Sequence, residues 1–253
     1  MSPQTRGAKT TLRERRPRTE KVASVIAREI VREIIDRDLP PGAPLAAEAD
    51  MLENFGVSRA SLREALRILE TQGLITIRPG PGGGPSVAEM DSRDFGRMAT
   101  LFYQVMRAKL GDVIEARLAL EPVMARLAAT RRDPGMNEEL RESMQAHYGE
   151  MSEEQWRDVT DNFHGLICSM SGNPLLDILA RSLKDIYTAR VSGLVFPEEK
   201  HDNVRKTHEK IVKAIEKGDG ATAQKLMHDH MANYADYFSS RYPGLMDELV
   251  DWG

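Results

Sequence analysis

The chain has 253 residues, of which 41% are hydrophobic and 29% charged, enough for one large or two ordinary domains with a soluble balance of residues. No apolar run approaches the ~20 residues of a membrane span, and no apolar stretch follows the charged N-terminus, so a secretory signal is excluded. The lone cysteine, Cys168, rules out an intramolecular disulfide; it fits a reducing cytoplasm and, in an apolar segment, reads as core. The net charge of −4 argues against a nucleic-acid binder until its distribution is considered. Residues 1–80 carry 14 basic against 11 acidic side chains, and the remainder 21 against 28. A basic N-terminal part joined to an acidic C-terminal part suits a DNA-reading domain with a separate sensor.

In chain order, residues 1–18 hold Arg6, Lys9, Arg13, Arg15, Arg16 and Arg18 against Glu14 alone. They read as a disordered tail, either a non-specific phosphate arm or a solvated extension without a role. Thr19–Asp38 is a predicted helix, with Val22, Ile26, Ile30 and Ile34 every fourth residue and Pro40-Pro41-Gly42 as its stop. A short helix follows over Ala47–Asn54, then a turn at Phe55-Gly56-Val57. Ser58 is a good N-cap for the next helix, whose Leu62, Ala65, Leu66 and Leu69 form one apolar stripe. Arg59, Arg63 and Arg67, four residues apart, stack on another face, and Gly73 stops the helix. Such a helix is shaped for a major groove, where Arg takes guanine O6 and N7 or grips phosphate. Leu74–Ile77 is a strand, Arg78–Pro85 a Gly/Pro loop and Ser86–Ala88 a returning strand. The loop tip can approach a sugar-phosphate backbone closely.

Asp91–Lys109 is a helical linker with Phe95, Met98, Leu101, Phe102, Val105 and Met106 on one face, able to dock on a domain or a partner subunit. From Gly111 the pattern is helical throughout, over about 111–131, 135–150, 153–170, 173–193, 198–217 and 220–241. Six helices with short connections make a bundle. The expected organisation is a tail (1–18), a winged helix-turn-helix (19–90), a helical linker (91–110), an all-α domain (111–242) and a C-terminal tail (243–253).

The run Leu39-Pro40-Pro41-Gly42-Ala43-Pro44-Leu45, Glu48, Gly56–Ile75 and Ile77-Arg78-Pro79-Gly80 resembles the winged helix-turn-helix of GntR-type bacterial transcriptional regulators. The resemblance to the FadR-like branch implies DNA contacts from Ser58, Arg59, Ser61 and Arg63 and from the wing around Arg78, Pro79 and Gly80. The family's usual DNA-touching Arg at the start of the second helix is Ala49 here, so that contact is missing. The C-terminal half is similar to the FCD ligand-sensing and dimerisation domain. The match rests on Glu115-Ala116-Arg117, Leu120-Glu121-Pro122, Phe163-His164, Ser171–Leu176, His208–Ile211, Gly218-Asp219 and His230-Met231.

Of six histidines, His147, His201 and His228 read as surface or hydrogen-bonded residues. His164, His208 and His230 fall on three different helices, where imidazoles can converge on a divalent ion. The resemblance places the metal ligands of FCD domains at these three positions, with a fourth, Asp, four residues before the first. That position is Thr160 here, and Asp161 is the candidate substitute. Zn²⁺ or Ni²⁺ suits such a set; other FadR-like regulators bind acyl-CoA without metal. Arg117 is either the partner of an effector carboxylate or the i,i+4 partner of Glu121. Asn173, Tyr187 and Arg190 complete the candidate effector residues, Asn173 with an alternative role as the cap of the helix opened by Pro174.

These expectations describe a homodimeric regulator that reads a pseudo-palindromic operator in double-stranded DNA. The resemblance implies a repressor released by a small carboxylate such as lactate or gluconate, or by acyl-CoA. The rival is a three-histidine metal hydrolase with an accessory basic domain; no HExxH, Gly-x-Ser-x-Gly or phosphate-loop motif supports it.

Overall fold

The computed structural model describes residues 21–80, 82–89, 92–145, 151–191 and 197–251. The basic segment 1–18, Thr19, His147 and Trp252 lie outside the described residues. Two compact units divide between Met90 and Asp91.

The first unit comprises α1 (Val22–Asp36), α2 (Glu48–Phe55), α3 (Arg59–Thr71), β1 (Ile75–Arg78) and β2 (Gly84–Val87). The apolar stripe of α3, Leu62, Ala65, Leu66 and Leu69, is fully buried against Ile26 and Ile30 of α1 and Met51 of α2. Burial of that stripe leaves the opposite face of α3 to solvent. Gly56, at φ +60°, ends α2 in the left-handed region and its amide returns to Leu52 O. That tight reversal sets the angle between α2 and α3. Ser58 caps α3, its Oγ accepting from Ser61 N at 3.2 Å. The strands pair antiparallel, with Ile75 opposite Val87 and Arg78 opposite Gly84. The hairpin has an unpredicted neighbour. Gly42 N donates to Val87 O, Leu45 N to Pro85 O and Val87 N to Ala43 O. This Pro-rich segment carries no alternation to announce itself as a sheet edge.

The second unit is all helix among the described residues: α4 (Ser92–Val105), α5 (Leu110–Arg131), α6 (Pro134–Gln145), α7 (Glu153–Met170), α8 (Pro174–Val191), α9 (Glu198–Lys217), α10 (Gly220–Arg241) and α11 (Pro243–Met246). The six bundle helices expected are α5 to α10. α5 is the central one, packed by α7, α8, α9 and α10, which is why it buries polar Arg117 and Glu121 as well as Met124, Ala125 and Ala128. α4 lies along α8, with Ser92 Oγ donating to Asp185 Oδ2 at 2.9 Å and Gly96 against Ser182. Ser152 and Gln155 cap α7 reciprocally, and Asp219 caps α10.

Residues 243–251 are more than the tail expected. Leu110 N donates to Glu248 O and Val250 N to Ala108 O, both at 2.9 Å. Lys109 Nζ binds Asp247 at 2.7 Å, and Val250 is buried beside Leu110, Val113 and Phe238. The segment straps the joint between α4 and α5.

Gly56→Ala forces a Cβ into the left-handed region and should cost about 1–2 kcal/mol in the first unit. Ser58→Ala should cost about 1 kcal/mol. Urea unfolding of the full chain, followed by amide exchange within residues 22–87, checks both.

Candidate metal centre and nucleic-acid interface

His164 on α7, His208 on α9 and His230 on α10 are all buried. Nε2 of His230 lies 3.2 Å from Nε2 of His208 and 3.3 Å from Nε2 of His164. Nitrogens bound at ~2.1 Å to one tetrahedral ion stand about 3.4 Å apart, so the imidazoles are spaced as ligands of one cation. Glu121 Oε2 accepts from Nδ1 of His164 at 2.6 Å. With Nδ1 engaged by Glu121, His164 turns its Nε2 toward the other two rings. Burial, then neighbouring His164, pushes the His230 imidazole down to about 3, so this ring is neutral at physiological pH. His208 is stacked on Phe163, ring centres 3.8 Å apart, which fixes its plane.

Glu121 also accepts from Arg117 Nε at 2.7 Å, within a pair that is almost completely buried. Burial alone would raise the Glu121 carboxyl; Arg117 and His164 outweigh it and hold it well below the usual carboxylate range. Burial also opposes the Arg117 charge, but Glu121 holds the guanidinium above its ordinary value. The Arg117 guanidinium lies 4.9 Å over the ring of Tyr187, whose hydroxyl donates to Tyr234 at 2.6 Å. Two small cavities, about 60 and 40 Å³, share a wall of Thr160, Asp161, Tyr187 and Tyr234. The smaller reaches Arg117, His164 and His230. Thr160 Oγ1 is buried there without a hydrogen-bond partner.

Several expectations need correction. Asp161 does not join the histidine group. One residue beyond Thr160, it is turned by about 100° around α7, and Thr188 Oγ1 donates to its Oδ2 at 2.9 Å. Arg190 pairs with Glu248 of the C-terminal segment and is not on the cavity wall. Asn173 Oδ1 accepts from Leu175 N at 3.0 Å and from Leu176 N, so it caps α8. Arg117 makes the i,i+4 pair with Glu121 and also lines the smaller cavity. The bridging carboxylate of Glu121 was legible only as an i,i+4 partner of Arg117. Its link to His164 spans 43 residues and leaves no local signal.

In the first unit, Ser58, Arg59, Arg63, Arg78 and Gly80 are exposed and Ser61 is half-buried. The hydroxyls of Ser58 and Ser61 are 3.0 Å apart at the start of α3. On α1, Arg32 and Arg37 are paired with Glu29 and Glu33. Arg59, Arg63, Arg67 and Arg78 have no carboxylate partner among the described residues. The cations of α3 and the wing are thus uncommitted. A groove of about 740 Å³ between α3 and the hairpin is lined by Arg63, Arg67 and Pro79, with Glu48, Glu64 and Glu70 also on its walls.

A winged helix-turn-helix with free guanidiniums on its reading helix, followed by a helical unit enclosing a polar cavity, defines a DNA-binding regulator with a ligand-sensing domain. The comparisons narrow that class. Residues 22–83 match the model of bacterial regulatory proteins of the gntR family, and residues 112–233 match the FCD domain. The Glc operon transcriptional activator of Escherichia coli K12 is 31% identical over 229 residues, covering 86% of this chain and 87% of that protein. The HTH-type transcriptional regulator LutR of Bacillus subtilis is 26% identical over 211 residues, 81% of this chain and 95% of its own length. The solved structure of Streptococcus agalactiae GntR shares the fold, with a TM-score of 0.69 at 22% identity, covering 85% of this chain and 99% of that one. The chain belongs to the GntR family of transcriptional regulators, in the FadR-like branch with an FCD domain. The comparisons lend no support to the hydrolase alternative. No helix among the described residues is long and apolar enough to cross a membrane.

Glu121→Leu strands a buried guanidinium and should destabilise the second unit by about 3–5 kcal/mol in urea. His230 takes a proton near 6.5 when unfolded and only near 3 when folded. Its contribution is therefore complete above pH 6.5 and drains away as pH falls toward 3. In chelator-treated protein the melting temperature should fall across that window, and His230→Gln should flatten the part of the slope above pH 4.5.

Proposed function

We propose that the protein is a homodimeric repressor whose grip on a pseudo-palindromic operator is released by a small carboxylate bound in the FCD domain. The observation that carries this is the cavity shared by Arg117, Tyr187 and the histidine cluster. A guanidinium takes a carboxylate in two parallel hydrogen bonds. Three imidazoles converge on one point, so His164, His208 and His230 would hold Zn²⁺ or Ni²⁺. When bound, the ion supplies positive charge and open coordination positions to an anionic ligand. Thr160 offers the unpartnered hydroxyl to that ligand, and Tyr187 closes the cavity over Arg117. Cavities of about 60 and 40 Å³ suit a short organic acid and not an acyl-CoA.

In the head, Arg59 and Arg63 would reach base edges or phosphates from α3, with Ser58 and Ser61 at its N-terminal end. Arg78 and Gly80 would bring the wing to the backbone. Two heads are needed because a single one reads too few base pairs. The effector acts by its different affinity for dimers that fit the operator and dimers that do not.

Mobility-shift titrations on duplex DNA selected from a randomised pool test the head. Arg59→Ala with Arg63→Ala should abolish the shift, and a shift that survives overturns the assignment. Untagged protein should carry one divalent ion per chain by elemental analysis, lost in His164→Ala. Screening short hydroxy acids should find one that raises the melting temperature of wild type but not of Arg117→Leu. A metal-free wild type stabilised by acyl-CoA instead would overturn the sensor reading.

A further inference from the structure

The larger of the two cavities in the second unit has no role in the recognition of a carboxylate by Arg117. Its volume is about 60 Å³, and Trp156, Val191 and Phe238, all buried, make it apolar on one side. These walls are held in place. Trp156 is stacked on His201 with ring centres 3.9 Å apart, and Phe238 packs against the rings of Tyr187 and Tyr234. The cavity of about 40 Å³ holds Arg117, His164 and His230. The two meet at Thr160, Asp161, Tyr187 and Tyr234, where the Thr160 hydroxyl is buried without a partner. A molecule that spans both places an acidic group beside Arg117, a polar group at the Thr160 junction and an apolar group against Trp156.

We infer that the chamber of Trp156, Val191 and Phe238 is an effector subsite that selects a 2-hydroxy acid with a short branched alkyl substituent. The inference rests on the small-carboxylate reading above and names the class of acid. Size sets the first limit. A water-sized group needs about 10–15 Å³ of such space, so the smaller chamber takes about three groups, a carboxylate, and the larger about four or five, an isopropyl or isobutyl group. The α-carbon then stands at the junction, with its hydroxyl toward Thr160 Oγ1. Chemistry sets the second limit. The hydroxyls of a polyhydroxy acid would lie against Trp156, Val191 and Phe238 without partners. A second carboxylate would meet those of Glu153 and Asp161, and Arg157, the cation beside them, is already engaged. The methyl group of lactate would leave most of the larger chamber unfilled and forfeit contact with its walls. An alkyl branch fills that chamber and asks for no hydrogen bond, and the preformed walls bind it without reordering.

Isothermal titration of the untagged full chain with racemic 2-hydroxy-3-methylbutanoate, lactate, gluconate and malate tests this. The branched acid should bind at least about 10-fold more tightly than lactate, and gluconate and malate no more tightly than lactate. Val191→Phe fills the chamber and should erase the preference for the branched acid. Trp156→Ala enlarges the chamber and should raise the affinity for 3-phenyllactate at least about 10-fold over wild type, a gain that an unfolded chain cannot give. Wild type that binds lactate, gluconate or malate as tightly as the branched acid overturns the subsite and leaves the small-carboxylate reading standing. So do preferences that neither variant changes. Wild type that binds none of these acids overturns both.

Discussion

The buried carboxylate of Glu121 is the constraint on which the sensor unit depends. It sits on the central helix α5, answers the Arg117 guanidinium one turn earlier and fixes the ring of His164 on α7. Neither charge could remain in that interior without the other. Together they hold the cavity polar in the middle of an apolar bundle, with Phe163, Ile167 and Ile211 packed nearby. Glu121 takes Arg117 at Nε, and the guanidinium also lines the smaller cavity.

The charge of α3 and the wing is left open. In the second unit some arginines are matched to acids, Arg141 with Glu216 and Arg205 with Asp202 among them, and others, such as Arg107 and Arg126, have no carboxylate partner among the described residues. In the first unit Arg32 and Arg37 are matched in the same way, whereas the four guanidiniums of α3 and the wing have no carboxylate partner among the described residues. Glu64 and Glu70 are available on α3 and remain unpaired with them. A face that carries free cations beside unused carboxylates is configured for an external polyanion, and membership of the GntR family states which one.

Much of this architecture was legible in the sequence because it is local. The stripe of α3, its Ser58 cap and the Gly56 reversal are set within a few residues of one another, and they appear as expected. The bundle helices are delimited by Pro and Gly and begin and end close to the positions those residues mark. What escaped depends on distant partners. The bridge of residues 42–45 to β2 exists only through backbone hydrogen bonds. Asp161 was the expected substitute ligand for the position of Thr160 and Arg190 an expected cavity residue, and each is claimed by a neighbour from another element, Thr188 and Glu248. Thr160 stood out in the sequence only as the replacement of the family's Asp, whereas its buried, unpartnered hydroxyl is part of the cavity wall.

The strap at the C-terminal end gives the molecule an order of assembly. The head is built from contacts inside one short stretch and can close as soon as that stretch has left the ribosome. The α4–α5 joint is different, because Lys109 waits for Asp247, 138 residues later. Until residues 247–250 have been made, the α4–α5 joint lacks these bonds, so the second unit closes late while the first can already be folded.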